Sequence, residues 1–175
     1  MYKPILFFFV ILITLSCKST ASVAEINQLK SVIAAKKFEL EFTNAVPVAF
    51  VNVTGIEQLL PPGSTRANIN LVNNPNHFKM NGEEVDLLLP FYGEQQINKG
   101  YSTNYSGFEY KGPYQKYTEK YNKRKQEYTL NYWLNTTDEN VRAVLTLFPN
   151  QKCILIISSS TRISITYYGN WQSML

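Results

Sequence analysis

The second half of the chain is built from short segments in which apolar and polar side chains alternate. The alternation runs from about residue 126 to residue 167, with turn-forming residues between the segments. A period of two is the period of a β-strand, so each segment should bury one face and expose the other. Links as short as Pro149-Asn150 and Ser160-Thr161 require the strands that they join to run antiparallel. The alternation therefore predicts a curved antiparallel meander.

Six strands are predicted in this half of the chain. They lie near Phe108–Tyr110, Tyr114–Tyr121, Gln126–Leu134, Val141–Phe148, Lys152–Ser159 and Arg162–Tyr167. The predicted apolar face comprises Tyr128, Leu130, Tyr132, Leu134, Val141, Ala143, Leu145, Leu147, Ile154, Ile156, Ile163, Ile165 and Tyr167. The segment Lys152–Ile157 is apolar on both faces, which is typical of a strand covered on both sides. We therefore expect it to be a central strand.

A helical pattern comes before the strands. Between Ala24 and Lys37, apolar residues recur at intervals of three and four, at Ile26, Leu29 and Ile33. This spacing places them on one face of a short amphipathic helix. Ser22 and Glu25 have the spacing of a capping box, which would fix the start of the helix.

Strand and turn signals continue after the helix. Alternating residues from Phe38 to Thr43 predict a strand, and Asn81-Gly82 between two apolar runs predicts a hairpin, because both turn residues tolerate positive φ. The structure of the next region, residues 44–75, is largely undecided by the pattern. Within it Val46–Val53 could form a further strand, and Pro61-Pro62-Gly63-Ser64 predicts a turn. A long exposed loop is expected over residues 95–106.

Together these patterns predict an α+β fold that is mainly β. An N-terminal amphipathic helix is followed by a curved antiparallel sheet, which is either packed on one side by the helix or rolled into an open barrel. Residues 24–175 are enough for a single domain with its own core. Apart from Cys17 the chain has one cysteine, Cys153, which is expected to be a buried free thiol.

The first residues indicate export. An apolar run from Ile5 to Leu15 follows Lys3-Pro4, and Cys17 ends it just before small polar residues. This run suits a secretory signal and is shorter than a membrane-spanning helix requires. We expect residues 1–16 to be a signal peptide, Cys17 to carry a lipid that anchors the chain to a membrane, and residues 17–23 to form a short tether. Cleavage after Ala24 is the alternative, and it would release a soluble protein.

Composition and motifs argue against several functions. The formal net charge of +4 is spread along the chain, so no nucleic acid partner is expected. The single histidine, His77, lacks the partners that a metal site or a histidine-based triad requires. Glu83 and Glu84 are adjacent and would point to opposite faces of a strand, so they cannot form the carboxylate pair that glycoside hydrolysis requires. Glu39 and Glu41 share a face, which is expected to be the solvent-exposed outer face of the sheet. We therefore expect no enzymatic activity, no metal and no cofactor.

Several segments carry a family resemblance. They are Leu89-Pro90-Phe91-Tyr92-Gly93, Phe148-Pro149-Asn150 and the run from Ser158 to Gly169. In their order and spacing they resemble the Bacteroidetes envelope proteins that form domain of unknown function 4251. The resemblance covers about Ala24 to Trp171 and implies a secreted or lipid-anchored α+β domain with no assigned activity. Residues 18–22 lack the acidic side chains of surface-export signals in Bacteroidetes lipoproteins, so the protein is expected to face the periplasm.

Two candidate contact surfaces stand out. The first comprises aromatic residues in or beside the long loop, Tyr92, Tyr101, Tyr105 and Tyr110, which could recognise proteins or sugars. The alternative is that Phe91, Phe108 and part of the tyrosines fill the core. The second comprises Lys120, Lys123, Arg124 and Lys125, which could contact anionic headgroups or form a solvated hairpin tip. Arg162, beside three serines, is expected in an ion pair or exposed.

Two functional hypotheses remain at this point. In the first, the protein is a non-enzymatic lipid-anchored envelope protein that binds a protein partner or an envelope polymer such as a glycan. In the alternative, it is a barrel-like carrier that encloses a small apolar ligand. A carrier needs an internal cavity, whereas the predicted strands carry enough Leu, Ile, Phe and Tyr to fill a small core.

Overall fold

One helix and ten strands are formed by the residues that the structure, a computed structural model, describes: 21–48, 60–93, 107–136 and 139–174. The helix α1 spans Val23–Ala35, and the strands are β1 Lys37–Pro47, β2 Ile69–Asn70, β3 His77–Asn81, β4 Glu84–Leu89, β5 Phe108–Pro113, β6 Lys116–Asn122, β7 Glu127–Asn135, β8 Asn140–Leu147, β9 Lys152–Ser159 and β10 Ile165–Ser173. All strand pairs are antiparallel. The predicted α+β, mainly β fold is confirmed.

Helix α1 begins at the predicted capping box. The Ser22 hydroxyl accepts a hydrogen bond from the Glu25 amide at 3.2 Å, and the Glu25 carboxylate accepts one from the Ser22 amide at 2.7 Å. Leu29 and Ile33 are buried as the helical spacing predicted. The helix ends at Lys36, whose left-handed backbone (φ 51°) turns the chain directly into β1. It therefore stops before Lys37, the predicted last residue, which begins the strand.

The order of strands in the sheet is β5-β4-β3-β1-β10-β9-β8-β7-β6, with the short β2 also pairing with β1. Strands β6 to β10 form the predicted meander. Strand β5 departs from that prediction, because it does not pair with β6, which follows it in the chain. Instead it pairs with β4, so β5 and β6 lie at opposite edges of the same sheet.

The chain crosses from one edge of the sheet to the other in two residues. Tyr114 and Gln115 alone separate Pro113 from Lys116, a span of at most about 11 Å. The Tyr114 amide donates to the Glu83 carbonyl at 3.3 Å, and the Gln115 amide donates to the Trp133 carbonyl at 2.9 Å. Successive residues thus bond to opposite edges, and the sheet must curl to bring them together. The result is a curled half-barrel.

Aromatic rings fill the space between the two halves of the curled sheet. Phe78 on β3 lies 5.2 Å from Tyr132 on β7, ring centroid to ring centroid, and Tyr132 lies 5.2 Å from Tyr117 on β6. Burial raises the pKa of both Tyr117 and Tyr132, so both phenols stay neutral. The largest fully buried side chains are Trp171, Tyr132, Tyr167, Phe38, Phe42, Phe78, Leu29, Leu40, Ile69, Leu71, Met80 and Leu87.

Several details differ from the sequence prediction. On β9 the buried residues are Cys153, Leu155 and Ile157, and not Ile154 and Ile156. Both faces of this segment are apolar, so the pattern could not distinguish them. Strand β9 is internal, but its outer face is uncovered among the described residues, with Ile156 38% exposed.

Turns and strand ends account for the other differences. The hairpin loop consists of Gly82 and Glu83 instead of Asn81-Gly82, with Gly82 at φ 66°. Strand β10 starts three residues later than predicted and continues to Ser173. The proposed strand at Val46–Val53 lies partly in β1, which ends at Pro47, and partly outside the described residues. The loop predicted at residues 95–106 lies wholly outside them. The turn at residues 61–64 is confirmed, closed by the Ser64 amide on the Pro61 carbonyl.

The pairing of β1 with β10, which joins the two halves of the sheet, contains an irregularity between Phe42 and Asn44. Gly169 lies opposite Phe42, and a Cβ atom at this position would come within 2.0 Å of the Glu41 carbonyl oxygen. The buried Asn76 side chain stabilises the same place, because it accepts from the Phe42 amide at 2.8 Å and donates to the Phe42 carbonyl at 3.0 Å. Close backbone approach explains the glycine.

We predict that Gly169→Ala destabilises the protein by at least about 3 kcal/mol, because the added methyl group has to displace the β1 backbone. Gly82→Ala is the matched control. It adds a methyl group where nothing lies within 4 Å, so it should cost about 1 kcal/mol from its positive φ alone. Urea unfolding measures both free energies, and equal losses would contradict this explanation of Gly169.

Candidate functional site

The direction of helix α1 determines which end of the half-barrel carries the N-terminus. The Lys36 ammonium donates to the Tyr114 hydroxyl at 2.9 Å and lies 4.9 Å from the centroid of the Tyr117 ring. One and a half turns earlier in the helix, the Lys30 ammonium lies 5.6 Å from the Tyr121 ring. The helix therefore runs antiparallel to β6, and its N-terminus at Ser22 points toward the end of β6.

The turn between β6 and β7 carries the cations that the sequence singled out. We call Lys120, Lys123, Arg124 and Lys125 the basic turn; all four are exposed. The Asn122 side chain accepts from the amides of Arg124 and Lys125 at 3.1 and 3.2 Å, which fixes the turn. Lys125 lies 3.6 Å from Glu127, whereas the other three cations form no ion pair within the described chain. This end of the half-barrel thus carries a cluster of positive charge.

The helix N-terminus and the basic turn lie at the same end. A 13-residue helix is about 20 Å long and a seven-residue strand about 23 Å, so α1 and β6 have nearly equal lengths. Helix α1 and strand β6 run antiparallel and side by side. The first residue of α1 therefore lies near the last residue of β6, measured along the strand direction. The start of helix α1 therefore lies beside the basic turn.

The aromatic candidates do not form one exposed surface among the described residues. Tyr92 is half-buried, its hydroxyl accepts from the Asn74 amide group at 2.8 Å, and burial raises its pKa. The Tyr110 hydroxyl donates to the Pro113 carbonyl. Tyr101 and Tyr105 lie outside the described residues, so their role stays a prediction. Phe91 and Phe108 are buried, as the alternative interpretation expected.

Arg162 forms an ion pair, one of the two environments expected for it. Its guanidinium lies 3.0 Å from the Glu139 carboxylate, donates to the Gly107 carbonyl at 3.0 Å and covers the Phe108 ring at 4.7 Å. Thr161 donates to the same carboxylate at 2.6 Å. These contacts hold the residues before β5 against the loop before β10. The guanidinium is therefore engaged by groups of the chain itself.

The remaining chemical groups have structural surroundings. His77 begins β3 and its Nε2 atom lies 2.8 Å from Asp86; burial opposes ionisation of Asp86, but His77 and Lys111 lower the pKa of its carboxyl. Cys153 is buried and free, and burial raises its pKa to about 12. It is therefore a thiol at neutral pH. No group of metal-ligating side chains occurs in the described part of the chain.

The outer face of the sheet carries a groove that the sequence pattern did not predict. It has a volume of about 460 Å³ and is lined by Gln115, Trp133, Asn140, Arg142, Ser158 and Ser159 over buried Leu134 and Val141. The groove lies where β6 begins, at the end of the half-barrel opposite the basic turn. One signal was present in the sequence: Trp133 alternates with buried Tyr132 and Leu134, so its position on the outer face was predictable.

Comparisons with known proteins identify a family. The family model described as Domain of unknown function (DUF4251) matches residues 20–171. A crystal structure of a DUF4251 family protein from Bacteroides eggerthii is similar to this chain with a TM-score of 0.58 and 12% sequence identity, over 86% of this chain and 88% of that one. No match was found among the curated proteins. Within the described residues, no helix combines the length and apolar character that crossing a membrane requires.

Proposed function

Starting from the finding that the chain belongs to the DUF4251 family, whose name assigns no activity, we propose that it is a non-enzymatic, lipid-anchored envelope protein. It faces the periplasm and binds a protein partner or an envelope polymer. Cys17 carries the lipid, and residues 17–21 form the tether, since Ser22 caps helix α1 and Val23 is its first residue.

One observation carries this proposal: the N-terminus of α1 and the basic turn lie at the same end of the half-barrel. A lipid on Cys17 would hold this end within a few residues of the membrane surface. Basic residues close to an anionic surface contribute about 1 kcal/mol each, so the tether and the turn would act together to orient the domain. The opposite end of the half-barrel would then face away from the membrane, toward a partner.

The surroundings of the reactive groups favour binding over catalysis. Enzyme sites shift the pKa values of acids, bases and nucleophiles toward their working pH. Here burial moves the pKa of Cys153 away from neutrality, and Asp86 is paired with His77 and Lys111 on the outer face. The described interior also gives little support to the alternative carrier function. The rings of Phe78, Tyr132 and Tyr167 occupy the place that an apolar ligand would need.

The lipid anchor is tested by fatty-acid labelling of the protein in its own host. We expect the native chain to incorporate labelled fatty acid and Cys17→Ala to incorporate none, because the thiol is the attachment point. Ala24→Tyr, which blocks the alternative cleavage after Ala24, should leave the labelling unchanged. A native protein without label whose N-terminus is Glu25 would rule out the anchor.

The orientation is tested on vesicles that contain phosphatidylglycerol, with the unlipidated chain from residue 17 onward carrying Cys17→Ala. We expect Lys123→Gln with Arg124→Gln to weaken binding about 30-fold at low salt, since two headgroup contacts are lost. The pair Lys116→Gln and Arg142→Gln removes the same charge at the other end and should weaken binding less than about threefold. Equal effects of the two pairs in a sedimentation assay would contradict the proposed orientation.

A further inference from the structure

The groove on the outer face is built on a row of side chains that crosses four strands. Lys116 on β6, Trp133 on β7, Arg142 on β8 and Ser158 on β9 are direct neighbours in the strand registers. The Lys116 ammonium lies 4.8 Å and the Arg142 guanidinium 5.3 Å from the centroid of the Trp133 ring. The ring is thus flanked by one cation on each neighbouring strand.

The positive charge of this row is not compensated by the described residues. No acidic side chain lines the groove, and neither Lys116 nor Arg142 forms an ion pair with any part of the chain that the structure describes. Two other cations of the outer face are paired: Lys79 with Glu39 at 2.9 Å and Lys111 with Asp86 at 3.5 Å. Arg142 in the groove, which donates to the Asn131 side chain at 3.0 Å, and Lys116 beside the groove together supply the charge that an anionic ligand requires.

The two tryptophans of the chain differ in a way that also points to a ligand. Trp171 is 1% exposed, and its indole N–H donates to the Phe148 carbonyl at 2.7 Å. Trp133 is partly exposed, and its indole N–H has no acceptor in residues 21–48, 60–93, 107–136 or 139–174. Nothing in those same ranges hydrogen-bonds to the side-chain amides of Gln115 and Asn140. The groove therefore offers an N–H donor and two amides together with the Arg142 guanidinium.

We propose that this groove binds an anionic carbohydrate. Amides, hydroxyls and an indole N–H suit the hydroxyl groups of a sugar, and a guanidinium binds a carboxylate or phosphate through charge-assisted hydrogen bonds. In this arrangement Arg142 holds the acidic group, Lys116 adds positive charge from the neighbouring strand, and the Trp133 N–H and the amides contact the sugar hydroxyls. The volume of about 460 Å³ lies within the range of small-ligand sites and suits a short segment of a polymer.

This inference rests on the proposed function, because it specifies the envelope polymer that the domain binds. It also fits the proposed orientation, since the groove lies at the end of β6 away from the basic turn. The fatty-acid and vesicle experiments report on the membrane-facing end, so their failure would leave binding in the groove intact. Conversely, if no acidic sugar binds in the groove, the proposed lipid anchor is unaffected and only this choice of partner is ruled out.

The test is a titration of the detergent-solubilised full chain, labelled with ¹⁵N-tryptophan. The spectrum then contains two indole signals from within the domain, Trp133 as the reporter and buried Trp171 as an internal control. A galacturonic acid trimer is the carboxylate probe, a mannose 6-phosphate oligosaccharide the phosphate probe, and the methyl ester of the trimer the neutral control. We expect one or both acidic probes to shift the Trp133 signal and leave Trp171 in place, whereas the neutral ester should have no effect.

Variants separate the groove from general charge. Arg142→Gln should weaken binding about tenfold or more, while Lys111→Gln, which removes an exposed cation elsewhere on the outer face, should not change it. The inference is overturned if neither acidic probe moves the Trp133 signal at about 10 mM. It is also overturned if the ester or inorganic phosphate moves that signal as strongly as the acidic sugars.

Discussion

The fold depends on one constraint, the two-residue connection between the edge strands of a nine-strand ladder. Tyr114 and Gln115 bond to opposite edges, at Glu83 and Trp133, so the sheet cannot stay open. Once it curls, the aromatic rings of β3, β6 and β7 meet in its interior and can be buried together. Lys36 then joins the helix to the same connection through the Tyr114 hydroxyl. The position of α1 therefore follows from the closure of the sheet.

Closure also separates the surface into two ends with different chemistry. At one end are the start of α1 and the basic turn; at the other are Trp133, Arg142 and Lys116. Both ends carry cations that form no ion pair within the described residues, and those of the basic turn lie on and beside a hairpin turn, which suits a membrane surface. At the other end Arg142 in the groove and Lys116 beside it lie over the partly buried Trp133 ring, which suits a ligand of defined shape. One end would serve attachment and the other recognition.

Local pattern predicted the helix with its capping box, most strands of the second half and the buried positions on them. It failed where the information is not local. The pairing of β5 with β4 depends on a contact between distant segments, and the two apolar faces of β9 look alike in the sequence. Gly169 lies in a segment that resembles the family, and the sequence pattern did not explain why a glycine is needed there. The structure explains it, because a side chain at this position would clash with the Glu41 carbonyl. The groove depends on the register between four strands. Alternation predicts that Trp133 lies on the outer face, but it does not predict that Arg142 lies beside it on the neighbouring strand.

Closure of the sheet places the N-terminus of the domain next to the basic turn. Distances between spin labels measure this directly in a chain carrying Cys17→Ala, because the buried Cys153 thiol should stay unlabelled. Labels at Val23→Cys and Arg124→Cys should be closer together than labels at Val23→Cys and Asn140→Cys, by about 10 Å or more. Equal distances, or a shorter distance to residue 140, would contradict the account.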